Sequence, residues 1–455
     1  MTSIDPHFLV RSATVYFTVV VSLMVWAWRR PHDRAVSTAI LATLWNLPAL
    51  LALHLIATRS GWWRFDATGG LLLGMPVDFY LAWAWLWGGV PLIAWPSAPL
   101  PLVTAGAFAL DLALMPAASP VVQLGPQWLI GEAIALITVF VPGQLLGRWT
   151  ARDVRLRERA TLQVVAFAGL VLFVTPVIAI TNSNGRWVHP LSRPLWQLSL
   201  FAHVLAVPTI LGLSALQEFV TRGRGTPVPF DPPRRLVTTG PYAYVRNPMQ
   251  IAGVGILVLL GVMLENLWVS AAGVLAHIYS AGLAGWDEDG DLRQRFGDDW
   301  MAYRSNVRAW IPGITPWHPI NPAPPRLFVA ENCGMCSEVA RWFRDRHPRH
   351  LLVVAAETHP SRSLTRITYE TRDGYSASGV EAVARGLEHL HLGWACVGLM
   401  LRLPIVLPLV QVIVDASGGE PRRVTPAISV SPIATPAADD PHLPPPPSDR
   451  PACST

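Results

Sequence analysis

Hydrophobic residues along this chain fall into long blocks separated by short polar punctuation. Nine blocks approach the roughly 20 residues that cross a bilayer. They lie near 11–28, 36–57, 77–95, 99–117, 127–147, 160–181, 195–216, 248–265 and 267–285. The pattern predicts an α-helical polytopic membrane protein with about nine transmembrane helices. After 285 the pattern changes. Residues 286–312 read as a polar helix, and 312–325 as a Pro-rich break. A soluble α/β segment follows over 326–416. It has a strand at Arg326–Ala330, a helix at Ser337–Arg346, a buried strand at Leu351–Ala355 and a helix at Gly379–His391. Residues 395–414 are apolar, but Arg402, Pro404 and Pro408 interrupt them, which favours a buried or interfacial element over a tenth span. From about 417 the chain is rich in Pro, Ser and Ala, including Pro444–Pro447, and a disordered tail is expected. The expected division is 1–190, 191–315, 326–416 and 417–455.

Composition sharpens this picture. Of 455 residues, 51% are hydrophobic and 14% charged, against about 25% charged in soluble domains. The net charge is +5, with Arg as the sole basic residue besides His. Arginines cluster after the first span (Arg29, Arg30, Arg34), the fifth (Arg148, Arg152, Arg155, Arg157, Arg159) and the seventh (Arg222, Arg224, Arg234, Arg235, Arg246). All are odd-numbered exits, so they share one side. The positive-inside rule makes that side cytoplasmic and the N-terminus external. No arginine run is long enough for a nucleic-acid partner. The first apolar stretch lacks a basic leader and a small-residue cleavage site, so no cleavable signal is expected. Cys453 is third from the end, not the fourth-from-end position of a prenylation signal. Arg-only basicity suggests a GC-rich bacterium and its plasma membrane. Four polar residues, His54, Asp78, Asp111 and Glu132, fall within or beside spans. An intramembrane carboxyl is a functional candidate, although a helix–helix hydrogen bond is the simpler expectation.

The densest chemistry surrounds the eighth span. The preceding loop reads Arg234-Arg235-Leu236-Val237-Thr238-Thr239-Gly240-Pro241-Tyr242-Ala243-Tyr244-Val245-Arg246-Asn247-Pro248. Gly240-Pro241 signals a turn. Asn247 is a candidate N-cap, and Pro248 a first helical residue. The positive end of that helix suits an anionic group. Spans eight and nine form a hairpin that returns the chain to Trp286-Asp287-Glu288-Asp289-Gly290-Asp291-Leu292-Arg293-Gln294-Arg295-Phe296-Gly297. This acidic cluster should come within reach of Arg246.

These two blocks resemble the isoprenylcysteine carboxyl methyltransferase and phospholipid methyltransferase family. Its signatures are a Gly-x-Tyr-x-x-x-Arg-His-Pro-x-Tyr turn and a Glu-Glu-x-x-Leu-x-x-x-Phe-Gly segment one membrane hairpin later. Trp300, Tyr303 and Ile311-Pro312 extend the likeness, which covers about 195–315. The resemblance implies an S-adenosylmethionine-dependent methyltransferase acting from the cytoplasmic face on a membrane lipid or lipidated small molecule. Cofactor-binding positions carried over are Leu236, Val237, Tyr242, Asn247, Pro248, Gln250 and Glu288, with Arg246 as the catalytic, orienting cation. Asn247 replaces the family's His, Gln250 its Tyr and Asp289 its second Glu. Ala284 stands where the eukaryotic prenylcysteine enzymes carry a substrate-binding Arg. The acceptor therefore stays open among carboxylate, thiol and amine.

Cys333-Gly334-Met335-Cys336 sits between the strand and helix of the soluble segment. A helix N-terminus activates a thiol, as in thioredoxin-like proteins. Catalytic cysteines with a thiol redox partner, a structural pair, and a metal site needing two further ligands all remain open. The segment resembles the small thiol–disulfide oxidoreductase-like family named for its Asp-Cys-Cys motif, on this opening, on Asp373–Ala382 and on Leu401-Arg402-Leu403-Pro404. Ala330 stands where that family has Asp. Three functions follow: a membrane methyltransferase with an appended thioredoxin-like domain; a tethered thiol–disulfide oxidoreductase on a degenerate methyltransferase scaffold; or a non-enzymatic transport protein, suggested by the N-terminal spans with Asp111 and Glu132.

Overall fold

The computed structural model describes residues 5–183, 185, 192–226, 233–319 and 323–423; the side chains of 283–288 and Met335 lie outside that description. The chain is mostly helical. α1 (Pro6–Arg29) starts where Asp5 caps the His7 N–H at 2.9 Å, and it buries none of its residues. α2 (Asp33–Ser60) ends at Gly61 in a left-handed conformation, and it packs on α3 (Val77–Ala94). The approach is close: a Cβ on Gly88 would lie 2.7 Å from the Thr43 Cα. Small residues at such crossings let backbones meet where no hydrophobic effect separates helix from lipid. α4 (Leu100–Ala117) precedes a long helix made of α5 (Trp128–Ala135) and α6 (Val141–Arg152). Another follows as α7 (Leu156–Gly169) and α8 (Thr175–Asn182), each pair joined through a π-turn. Buried amides tie the bundle together, with Asn46 Nδ2 on the Ala84 carbonyl at 3.1 Å and Gln144 Nε2 on that of Trp87 at 2.7 Å.

α9 (Leu195–Glu218) packs against the hairpin of α10 (Pro248–Met263) and α11 (Leu267–Tyr279). Seven helices among the described residues are long and apolar enough to cross a membrane. The hairpin helices are shorter than the nine-span pattern implied. Pro248 starts the first, and Glu265 at φ 53 turns the chain into Asn266, which caps the second. At 1.5 Å per residue α10 is only about 24 Å long.

The helix ends sort cleanly. Arg34 donates to the Thr150 carbonyl at 2.9 Å, and Arg234 pairs with Asp153. The first, fifth and seventh exits therefore share one end. At the other end Arg193 reaches Glu265 at 2.6 Å, and short strands roof the bundle. There β1 (Trp63–Phe65) pairs with β4 (Val122–Leu124), and β2 (Leu71–Leu72) with β3 (Met75–Pro76). Asp78, unpaired in the sequence reading, meets Arg11 at 2.7 Å beneath this roof.

α12 (Gly285–Asn306) continues from α11 through a π-turn and is broken at Gly297. Beyond it lies a four-stranded sheet of β5 (Arg326–Val329), β6 (Leu352–Ala355), β7 (Thr368–Glu370) and β8 (Ser376–Ser378), in the order β6-β5-β7-β8. β5 and β6 are parallel and linked by α13 (Gly334–Asp345); the other pairings are antiparallel. The expected buried strand at 351–355 is instead an edge strand with Leu352 exposed, because apolar character cannot distinguish an edge from a centre. α14 (Val380–Leu387) closes the core, its Gly386 against Phe343. The interrupted apolar run forms α15 (Leu392–Leu401) and α16 (Val406–Val414), bent by 91°. α15 is partly buried against α9 and α14, whereas Ile405, Leu409, Val412 and Ile413 around α16 are exposed. The expected tail lies outside the described residues from 424 onward.

Candidate functional site

The loop before α10 is fixed by its own chain and by the segment after α12. Gly240 adopts φ +60, where a Cβ would also sit 2.6 Å from the Glu218 Cγ, so glycine is required. A 3-10 turn over Gly240–Ala243 follows. Residues 243–247 are then clamped along 308–317. Arg246 N donates to the Arg308 carbonyl at 2.9 Å and Asn247 N to that of Ala309 at 3.2 Å; Gly313 N and Trp317 N donate back to Tyr244 and Ala243, both at 2.8 Å. The Tyr303 hydroxyl donates to the Tyr242 carbonyl at 2.8 Å, and burial pushes the Tyr303 pKa upward.

The two sequence blocks therefore meet. The Arg246 guanidinium lies over the Trp300 ring, 5.7 Å from its centre. Trp300 Nε1 donates to Asp289 at 3.0 Å, and Arg304 holds the same carboxylate at 2.5 Å. Leu236 packs into the cluster of Trp300 and Tyr303, and Val237 packs on Tyr242. Pro248 opens α10 as expected. Asn247 occupies the cap position without a side-chain cap bond, because its backbone (φ −115, ψ 51) leaves the extended region that aims a cap at the first turn. Gln250 has a buried Oε1 with no partner among the described residues. This orphaned acceptor suits an N–H or O–H of a bound cofactor. The side chain of Glu288 lies outside the described residues.

Sequence reasoning missed a buried ionic cluster beside this turn. Glu218, fully buried near the end of the α9 span, receives Arg385 at 2.5 Å, Arg402 at 2.6 Å and the Thr239 hydroxyl at 2.6 Å. Glu388 pairs with Arg402 at 2.5 Å and with Arg385 at 3.3 Å. Tyr375 stands between the guanidiniums of Arg222 and Arg385, at 4.7 and 4.8 Å. A small cavity opens here, lined by the polar residues Arg222, Thr239, Arg385, Glu388 and His389 and by Gly240 among others. The Tyr244 hydroxyl donates to the Glu388 carbonyl at 2.9 Å, so the 326–416 segment is docked directly on the turn. The only warning in the sequence was Arg402 inside an apolar run.

Neither a protein-family model, nor a curated protein, nor a solved structure matches the chain.

The cysteines occupy the expected place. Cys333 is the cap residue of α13 and Cys336 lies in its first turn. Burial, reinforced by its contact with Cys333, pushes the Cys336 thiol up to about 12. Glu357, which sequence reasoning did not single out, accepts from the Glu331 and Asn332 backbone N–H groups at 3.0 and 3.3 Å, and so fixes the approach to Cys333. Among the described residues no three metal-ligating side chains cluster.

Proposed function

We propose that this chain is a membrane-embedded methyltransferase that uses S-adenosylmethionine at the cytoplasmic face on a lipidic or isoprenoid-like acceptor. The carrying observation is the meeting of the 240–248 turn with the Asp289–Trp300–Tyr303 cluster, two blocks separated in sequence by a whole helical hairpin. Leu236, Val237, Tyr242 and Gln250 would hold the cofactor together with Glu288, whose carboxylate suits its ribose hydroxyls or ammonium. When bound, the cofactor supplies an electrophilic methyl group on a sulfonium. Its transfer needs no strong acid, only in-line positioning and exclusion of water. Arg246 orients an anionic group of the cofactor or acceptor. The apolar hairpin delivers an acceptor from the bilayer. The arginine-rich helix ends support placing this face in the cytoplasm of a bacterial plasma membrane.

The decisive experiment is S-adenosylmethionine binding to the purified chain in nanodiscs, wild type against Glu288→Ala. The proposal expects saturable binding that the substitution removes; no binding to a folded wild type would sink it. With an acceptor in hand, Arg246→Ala should abolish transfer while leaving the thermal transition in place.

A second reading draws on the soluble segment. Its parallel β5–α13–β6 unit, followed by the antiparallel β7–β8 pair and α14, supports a thioredoxin-like fold with the two cysteines at the strand–helix junction. On this reading the chain is a tethered thiol–disulfide oxidoreductase. Redox cycling that Cys333→Ser removes, without cofactor binding, would favour it.

A further inference from the structure

An apolar cavity lies at the opposite end of the helical bundle, beneath the β1–β4 roof. It holds about 530 Å³ of space not filled by atoms, part of it open to solvent. Its walls are aromatic: Trp63, Phe65, Phe79, Tyr80, Trp83 and Trp87 all line it. Two polar residues reach it, His54 from α2 and Glu132 from α5, and they are 4% and 3% exposed. Behind Glu132 stands Asp111, 1% exposed, in hydrogen-bond contact with Glu132 and held by the Trp87 Nε1 at 2.9 Å.

The polar atoms left over here share one character. His54 Nε2 faces the Leu73 carbonyl at 3.0 Å. A carbonyl only accepts, so that nitrogen carries the hydrogen and Nδ1 is a bare acceptor. His54 Nδ1 is buried without a partner among the described residues. Glu132 Oε1 and Asp111 Oδ1 receive no hydrogen from a described donor group. The Tyr80 hydroxyl, the obvious donor, is spent on the Leu47 carbonyl at 2.7 Å.

We infer that this cavity is a binding site for a protonated lipophilic amine, whose ammonium hydrogens meet Glu132 and His54 and whose apolar body lies among the tryptophan and phenylalanine rings. Aromatic faces attract a cation. The acceptor-only polar set selects N–H donors over a quaternary ammonium or a neutral lipid tail. A hydrated metal ion would find too few oxygens. The inference rests on no part of the methyltransferase reading, since the site lies at the other end of the bundle.

The test uses the full chain in nanodiscs and equilibrium dialysis with labelled phenethylamine, with 2-phenylethanol as the neutral isostere. The expected result is saturable amine binding at least tenfold tighter than the alcohol. The isosteric double change Asp111→Asn with Glu132→Gln should cost the amine at least tenfold and leave the alcohol unchanged. If that variant loses its thermal transition, His54→Phe replaces it, with a several-fold loss expected for the amine alone. Equal binding of amine and alcohol, undiminished amine affinity in the variants, or no saturable binding to the folded wild type each overturns the proposal.

Discussion

Arg402 bears most directly on how the two halves of the chain hold together. It is buried between Glu218 and Glu388, and each carboxylate relies on it for charge compensation. Removing one partner of a buried ion pair strands the others. Arg402→Met should therefore destabilise the protein by about 3–5 kcal/mol, read as a fall in its denaturation midpoint. Adding Glu218→Gln to that variant should restore part of the loss, because the stranded charge goes with it. Cys336 offers a second residue-level check. With its thiol raised to about 12, it holds about a thousandfold less thiolate near pH 8 than a free cysteine. Iodoacetamide labelling followed by peptide mapping should find Cys336 slow, and faster as pH rises past 10. The cysteine pair was legible in the sequence because its spacing is local. The Glu218–Arg385–Arg402–Glu388 cluster was not, because its members lie up to 184 residues apart and meet only through docking.

Among elements, α12 carries the acidic and aromatic half of the candidate site, and it depends on one glycine. Gly297 sits at φ 52, ψ −126, a conformation open essentially to glycine. A Cβ there would touch nothing within 4 Å, so the cost of Gly297→Ala is purely conformational, about 1–3 kcal/mol. The expected outcome is a lower thermal midpoint with weaker S-adenosylmethionine binding, since Trp300 and Tyr303 follow the break. Element positions were largely legible. Each apolar block became a helix, and the strand–helix opening at 326–345 fell where its pattern put it. What stayed hidden was partnership. Nothing along the chain sets α4 against α5 so that Asp111 meets Glu132, or places Arg11 of α1 beside Asp78. Such pairings arise from helix packing angles that hydropathy does not encode.

The molecule as a whole is joined through histidines as well as arginines. His318, from the segment after α12, stacks on His389 at 4.7 Å and on His350 at 5.1 Å. Burial, aided by its neighbours, lowers His318 to about 3, and burial lowers His389 to about 4. In an unfolded chain both would titrate near 6.5. Between those limits the unfolded state binds more protons, so stability falls as pH drops from about 6.5 toward 4, by about 2 kcal/mol per ring at pH 5. Thermal unfolding compared at pH 7.5 and pH 5 should show the decline, and His318→Phe should lessen it. A last consequence concerns the lipid. The α10–α11 hairpin falls several ångströms short of a bilayer of about 30 Å, and α11 runs without a break into α12. Hydrophobic mismatch at the hairpin therefore pulls on a rod that carries Asp289, the carboxylate on which Trp300 is held from beyond the Gly297 break. Bilayer thickness becomes a mechanical input to the site, and short-chain lipids should support tighter cofactor binding than long-chain ones.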